Sequence, residues 1–222
     1  MRLIYFDCFS GASGDMILGA LIDAGLPFEA LREALGGLVP DGAELRVDRV
    51  LRAGIAAAKF TLVEEGQGAG TGQPGAHHHH HPHAHRSLED IEALIDRSRL
   101  SPAAKARAVS LFGRLGAVEA AIHQMPLDRV HLHEVGSLDS IVDIVGGVFA
   151  LEWFGAGEVV ASPLNVGSGT GRTAHGVLPV PAPATVWLLE GFPVVVGDGE
   201  GELVTPTGAA IVRALAKPLR PL

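Results

Sequence analysis

The chain has 222 residues, 47% of them hydrophobic, and a formal net charge of -8. That length buries one good core or two small ones, and the acidic balance argues against a polyanion such as DNA or RNA as partner. The single cysteine, Cys8, excludes an intramolecular disulfide and fits a reducing compartment.

Residues 1–65 read as an N-terminal α/β subdomain. Leu3 to Phe9 has the pattern of a strand, Met16 to Ala24 and Phe28 to Leu35 of helices, and Leu45 to Val50 and Phe60 to Glu64 of strands. The first strand and helix are joined by Cys8-Phe9-Ser10-Gly11-Ala12-Ser13-Gly14-Asp15-Met16. Small residues at such a junction leave backbone N–H groups free to grip a phosphate or carboxylate, so Ser10, Gly11, Ser13 and Gly14 are candidate ligand-binding positions. No Lys follows the second glycine, which excludes a P-loop. Asp7 and Asp15 flank the turn and would oppose a bare phosphate unless a divalent cation lay between them, which makes both candidate metal ligands. Asp15 as an ordinary helix-start residue is the alternative. Cys8 in such a strand is expected to be buried and inert.

Residues 66–86 read as a flexible Gly/His-rich loop. Gly66 to Gly75 carries no apolar side chain beyond Ala69, so nothing offsets its ordering entropy. The loop continues into His77, His78, His79, His80, His81, His83 and His85, seven of the eleven histidines. Such a tract collects metal by composition. Its place between two periodic segments sets it apart from a terminal expression tag. A flexible tract gathers and hands over metal, whereas catalytic coordination needs ligands on rigid elements.

Residues 87–222 read as a second α/β subdomain. Helices are expected over Leu88 to Ser98 and Pro102 to His123, the second opened by Ser101 as N-cap with Pro102 in the first turn. Arg129 to His133 has the look of a short strand, on which His131 and His133 point the same way. After Gly136 the apolar run Ile141, Val142, Ile144, Val145, Val148 reads as a helix, with Asp139 and Asp143 on one face near its start. Imidazole plus carboxylate suits borderline metals such as zinc, nickel or iron. His131, His133 and Asp143 are therefore candidate metal ligands, and Glu134 and Asp139 candidate bases. Alternatively, Asp139 caps the helix and the two histidines line a solvated face.

Farther on, Glu158 to Ala161 and Val194 to Val196 read as strands and Ala182 to Glu190 and Ala209 to Ala216 as helices, with Thr207 a potential cap and Glu202 a further carboxylate. The alternation predicts an α/β class: mixed sheets with flanking helices, some strand pairs parallel, in two subdomains joined by the His-rich loop. The stretch Asn165 to Gly176 is a second glycine-rich loop. Gly167, Ser168 and Gly169 let backbone approach a ligand, while Arg172 and His175 would neutralise or protonate it. Arg172 stands where a dinucleotide fingerprint needs its third glycine. Pro179, Pro181 and Pro183 stiffen the exit of the loop. Asp143 and Glu152 interrupt the longest apolar run, so no membrane helix is expected. The N-terminus lacks a signal-peptide pattern, and the expected location is the cytoplasm.

Four motifs in order carry a resemblance across almost the whole chain. They are Asp7 to Met16; His131-Leu132-His133-Glu134-Val135-Gly136 with Asp139-Ser140-Ile141-Val142-Asp143; His175-Gly176 before Pro179-Val180-Pro181-Ala182-Pro183-Ala184-Thr185; and Thr205-Pro206-Thr207-Gly208. Together with the histidine tract they resemble the LarC nickel insertion proteins. The resemblance implies a nickel chelatase of the lyase class that loads a pyridinium bis-thiocarboxylate mononucleotide, giving the nickel pincer nucleotide cofactor of lactate racemase. It implies CTP hydrolysis with Mg2+ or Mn2+, and the lactate racemase system as recipient. Members of the family usually carry a further C-terminal domain, whereas this sequence stops at Arg220-Pro221-Leu222. The CTP step is therefore expected to need a C-terminal LarC domain or polypeptide, and homo-oligomerisation is left open.

In that reaction His131 and His133 would hold nickel until softer sulfur displaces them, and Glu134 or Asp139 would take the ring proton. The two glycine loops and Arg172 would hold the phosphate. Two other classes stay open: a non-catalytic nickel storage or delivery module, and a metal-dependent hydrolase. A barrel hydrolase needs roughly 250 residues and normally carries its His-x-His pair on an early strand, not at residue 131. Deleting His77 to His85 is expected to lower the number of nickel ions bound in a calorimetric titration without moving the melting temperature; a collapsed fold would contradict the loop assignment.

Overall fold

The structure is a computed structural model that describes residues 2–52, 54–64, 86–130, 132, 135–173 and 176–219. The histidine tract, His131, His133, Glu134 and His175 lie outside the described residues. In chain order the strands are β1 (Arg2–Phe6), β2 (Ala43–Arg52), β3 (Ile55–Glu64), β4 (Ala156–Ala161), β5 (Leu164–Asn165), β6 (Gly167–Ser168), β7 (Thr170–Thr173), β8 (Gly176–Pro179), β9 (Val194–Val195), β10 (Gly201–Glu202) and β11 (Lys217–Pro218). The helices are α1 (Gly14–Asp23), α2 (Phe28–Leu35), α3 (Leu88–Asp96), α4 (Pro102–Ile122), α5 (Leu138–Phe154), α6 (Pro183–Leu188) and α7 (Pro206–Leu215).

Local chemistry accounts for the helix starts. Ser87 and Asp90 form a reciprocal capping box at α3. Ser101 accepts from the Ala104 N–H at 3.1 Å and Pro102 opens α4, as its sequence predicts. Thr205, rather than Thr207, caps α7 by accepting from the Gly208 N–H at 3.1 Å. The reason is Pro206, whose fixed φ suits the first helical position and leaves the cap to the residue before it. The strand expected over Arg129 to His133 does not form at its start. Leu127–Arg129 is instead a single 3-10 turn after Pro126, and Leu132 makes one antiparallel bridge to Arg86.

Packing follows from α5. Its Ile141, Val142, Ile144, Val145 and Val148 are fully buried, so the middle of the helix has no side to give to water and other elements cover it all round. Among these are α1, α2, α4 and α7. Gly146 lets the Leu18 and Leu31 side chains close onto the helix. Gly155, in the left-handed conformation, ends α5 and turns the chain into β4. There β4 is the middle strand of the sheet β1-β4-β11, parallel to both neighbours, with Leu3 beside Glu158 and Lys217 beside Val160. Residues on either side of 65–85 thus share one sheet and one hydrophobic core. The fold is mixed α/β with several small sheets. The β2–β3 hairpin pairs in register from Ala43 opposite Glu64 to Arg52 opposite Ile55 and lays Phe60 and Leu62 into the core against α1. Among the described residues no helix is long and apolar enough to cross a membrane.

Two glycines give opposite expectations. A Cβ on Gly19 would lie 2.5 Å from the carbonyl oxygen of Ala58, whereas one on Gly113 would meet nothing within 4 Å. Alanine gains about 1 kcal/mol over glycine from helix propensity, and overpacking costs about 1–3 kcal/mol. Gly113→Ala is thus expected to raise the urea midpoint and Gly19→Ala to lower it. Equal shifts of one sign would refute the close packing of α1 on β3.

Candidate functional site

The loop between β1 and α1 is fixed by the segment leading into α7. Ala12 donates its N–H to the Leu203 carbonyl at 2.9 Å, and Thr205 donates to the Ala12 carbonyl at 3.1 Å. Only glycine fits at the crossing points. A Cβ on Gly11, whose φ is +90°, would sit 1.9 Å from Leu203 O, and one on Gly208 would sit 2.1 Å from Ala12 O. The start of α1 is therefore pressed against the start of α7. From α5, Ser137 caps its own helix and bonds Ser140 Oγ at 3.1 Å, and Thr207 Oγ1 of α7 reaches the same Ser140 Oγ at 3.2 Å. The N-termini of α5 and α7 thus meet through hydroxyl groups, which suit ends that carry spare N–H donors, and that of α1 is held beside α7 by the backbone bonds of Ala12.

Asp143 of α5 lies at this meeting point. It is buried, and its carboxylate occupies the space a Cβ of Gly14 would need: the hypothetical atom would lie 2.3 Å from Oδ2. The Asp15 backbone N–H donates to the carboxyl group, yet Oδ1 is buried without a hydrogen-bond partner among the described residues. Burial pushes the Asp143 carboxyl well above the usual carboxylate range. The charges of Asp139 and Asp15 push the same way, and the Asp15 N–H pulls against them. Asp139 is exposed on the first turn of α5, and Asp15, half-buried, accepts from the Ser13 hydroxyl. Among the described residues no three His, Cys, Asp or Glu side chains converge tightly enough to hold a metal ion by themselves.

The second glycine loop is tied to the first by Asn165. Its Nδ2 donates to the Phe9 carbonyl at 2.9 Å, while Oδ1 accepts from Gly167 N at 3.3 Å and Gly197 N at 3.0 Å. Gly167, at φ +79°, lies flat against Gly201, where a Cβ would be 2.0 Å from the carbonyl oxygen. Ser168 donates to Gly199 O at 3.2 Å, and Gly169 and Arg172 are exposed, Arg172 on the β7–β8 hairpin. Ser10 and Asp7 are exposed beside buried Cys8, whose thiol burial and the Asp7 charge push up to about 11. The inert reading of Cys8 thus agrees with its setting.

The structure thus gathers Gly11, Ser13, Gly14, Asp15, Asp139 and Asp143 about the helix starts and joins Gly167 to them through Asn165. Sequence reasoning missed Ser140 and Asn165 and took Thr207 only as a cap. The Ser137-x-x-Ser140 spacing and the Asn165 before a glycine run were the available signals.

Comparison with known proteins follows from this geometry. The family profile described as "Nickel insertion protein" matches residues 4–222. A pyridinium-3,5-bisthiocarboxylic acid mononucleotide nickel insertion protein of Desulfitobacterium hafniense (strain DSM 10664 / DCB-2) is 47% identical over 222 residues, covering 100% of this chain and 51% of that protein. The protein of the same name in strain Y51 is also 47% identical over 222 residues, with the same coverage. A relative in Geobacter sp. (strain M21), whose name also carries the words nickel insertion protein, is 49% identical over 223 residues, 100% of this chain and 54% of its own length. The chain spans about half the length of these curated relatives. No solved structure matches it.

A raised folded-state pKa at Asp143 sets a sign for stability. Its contribution is fully present below the unfolded-state value of about 3.9 and is lost as pH rises toward and through the folded-state value. Asp143→Asn keeps an acceptor for the Asp15 N–H and removes the charge. The variant is expected to melt above the parent at pH 8, by about 3 °C for each kcal/mol recovered, and to converge with it below about pH 4. A lower melting temperature for the variant at pH 8 would mean that an interaction holds the ionised carboxylate.

Proposed function

Because the chain belongs to the nickel insertion protein family, we propose that it loads nickel into pyridinium-3,5-bisthiocarboxylic acid mononucleotide, the compound named for its Desulfitobacterium relatives. The product is the nickel pincer nucleotide cofactor, and its recipient the lactate racemase system. One observation carries the assignment of the pocket: the unpartnered, buried Oδ1 of Asp143 where three helix N-termini meet.

That setting suits the precursor. Helix starts and glycine loops offer backbone N–H groups to its phosphate and thiocarboxylates. Ser13, Gly14, Ser168 and Gly169 take this role, with Ser10 at the rim and Arg172 as a charged partner, while Gly11 and Gly167, whose own N–H groups go to Cys8 O and Asn165 Oδ1, let the backbone come close. Nickel arrives as cargo. The tract His77 to His85 collects it, and His131 and His133 present it, because imidazole holds nickel yet yields to softer sulfur. As the carbon–nickel bond forms, the ring carbon between the two thiocarboxylates loses a proton. Glu134 or Asp139 accepts that proton, and His175 carries it to solvent.

CTP with Mg2+ or Mn2+ belongs to the same reading. A hard cation of this kind takes one or two carboxylates and completes its shell with nucleotide phosphate and water, so one or two of Asp7, Asp15 and Asp143, not the three together, are assigned to it. The bulk of the triphosphate site lies in a C-terminal part of the kind that makes up the remaining length of the relatives. A reduced, buried Cys8 fits a cytoplasmic setting.

Incubation of the chain with precursor and Ni2+, read by mass spectrometry of the nickel adduct, tests the assignment. Nickel adduct formation is expected to be slow for residues 1–222 alone and to rise at least tenfold, about 1.4 kcal/mol in barrier, when a C-terminal half and CTP are added. His131→Ala with His133→Ala is expected to abolish it while the histidine tract still binds metal. Undiminished transfer by the double variant would remove these residues from the metal site.

A further inference from the structure

Phe9 combines a fixed backbone with a free ring. The backbone around it is bonded at every turn: Cys8 N–H donates to Ser162 Oγ at 2.8 Å, Cys8 O accepts from Gly11 N at 3.0 Å and Asn165 N at 3.2 Å, and Phe9 O accepts from Asn165 Nδ2 at 2.9 Å. Ser162 and Asn165 are themselves buried. Yet the Phe9 side chain is 73% exposed. An aromatic ring left in water forgoes the stabilisation that burial would bring. Here it is neither mobile filler nor part of the core, because the loop that carries it is pinned by groups from two distant segments.

Its surroundings define what the ring could receive. Phe9 belongs to the loop that ends at Gly14 and Asp15, against Asp143, and Asn165 couples its carbonyl to Gly167 and Gly197 of the second glycine region. Asp7, also exposed, lies two residues before it. A flat, cationic ring attached to an anionic group is matched by an aromatic face beside backbone N–H donors and a carboxylate.

We propose that Phe9 is the stacking platform for the pyridinium ring of the mononucleotide, and that Asn165 is the positioning residue that aims it. This rests on the precursor-binding reading above and adds the residue that selects an aromatic, positively charged ring over other phosphorylated ribosides. Backbone donors hold the phosphate whatever the base; Phe9 supplies discrimination. Because the ring is solvent-exposed, its replacement leaves the core untouched.

Calorimetric titration of the 222-residue chain with nicotinic acid mononucleotide, a stable pyridinium mononucleotide, and with ribose 5-phosphate, which lacks the ring, tests the proposal. Phe9→Leu is expected to weaken the pyridinium compound about fivefold to thirtyfold, the range for a cation on an aromatic face, and to leave ribose 5-phosphate and the melting temperature unchanged. Phe9→Trp is expected to bind the pyridinium compound at least as well as the parent. Asn165→Asp retains the acceptor for Gly167 and Gly197 and loses the donor to Phe9, so it is expected to weaken the pyridinium compound more than the ribose phosphate. Equal affinity of Phe9→Leu and parent for the pyridinium compound would overturn the stacking role while leaving precursor binding standing. Failure of the parent to bind either compound would overturn both.

Discussion

The carboxylate of Asp143 fills the space beside Gly14 where any other residue would place a Cβ, and the arrangement of three helices follows from that contact. Helix α5 is enclosed by apolar partners through its middle turns, so Asp143 is carried into the interior with them. A polar group brought there needs donors, and the start of α1 provides one, the Asp15 N–H, because a helix leaves its first N–H groups unbonded. Three glycines then act together: Gly11 and Gly208 each remove the atom that would hold two backbones apart, and Gly14 makes room for the Asp143 side chain. Hydroxyls complete the junction: Ser137 and Thr205 cap their own helices, and the Thr207–Ser140 pair joins α7 to α5. The same few atoms that hold the three helices together carry a buried oxygen without a partner among the described residues, the kind of imperfectly satisfied group a fold keeps where strain is offset elsewhere.

Much of the local structure was legible in the sequence. Phe28–Leu35 has the bounds its apolar spacing predicts, and Ser101-Pro102 marks the start of α4. Strand ends were less legible. The apolar run to Phe9 reads as strand, but β1 stops at Phe6 because Cys8 to Gly11 turns toward Leu203. The start of α7 was placed three residues late, since a threonine–proline start looks like loop until the cap is seen. Parallel pairing was expected from alternation, whereas the order β1-β4-β11 places β1 beside a strand more than a hundred residues away and has no local signature.

The candidate site divides in the same way. Asp139 and Asp143 were recognisable from their four-residue spacing, and the small residues from Ser10 to Gly14 from the strand-to-helix junction. Their different fates were not: Asp139 is exposed on the first turn of α5, whereas Asp143, one turn farther along, is buried against Gly14. Ser140 and Asn165 escaped notice since their meaning lies in partners such as Thr207 and Phe9, which sequence distance conceals. An asparagine is unremarkable until its one donor and one acceptor are found on two separate loops. The placement of β1 beside β4 also means that the first loop cannot take its shape until residues far along the chain have folded against it.

The withdrawal of Cys8 from chemistry bears on the direction in which a metal ion would travel. A thiolate is the softest donor a protein side chain can offer, and it would compete with any sulfur-bearing acceptor. With its thiol buried and pushed up to about 11, the ionised fraction at neutral pH is on the order of one in ten thousand. Apart from the neutral thioethers of its methionines, the donors left to this polypeptide are nitrogen and oxygen, with no anionic sulfur among them. A ligand bearing two thiocarboxylates would then meet no rival of its own kind, and nickel would pass along a gradient of softness that runs from protein to small molecule and not back.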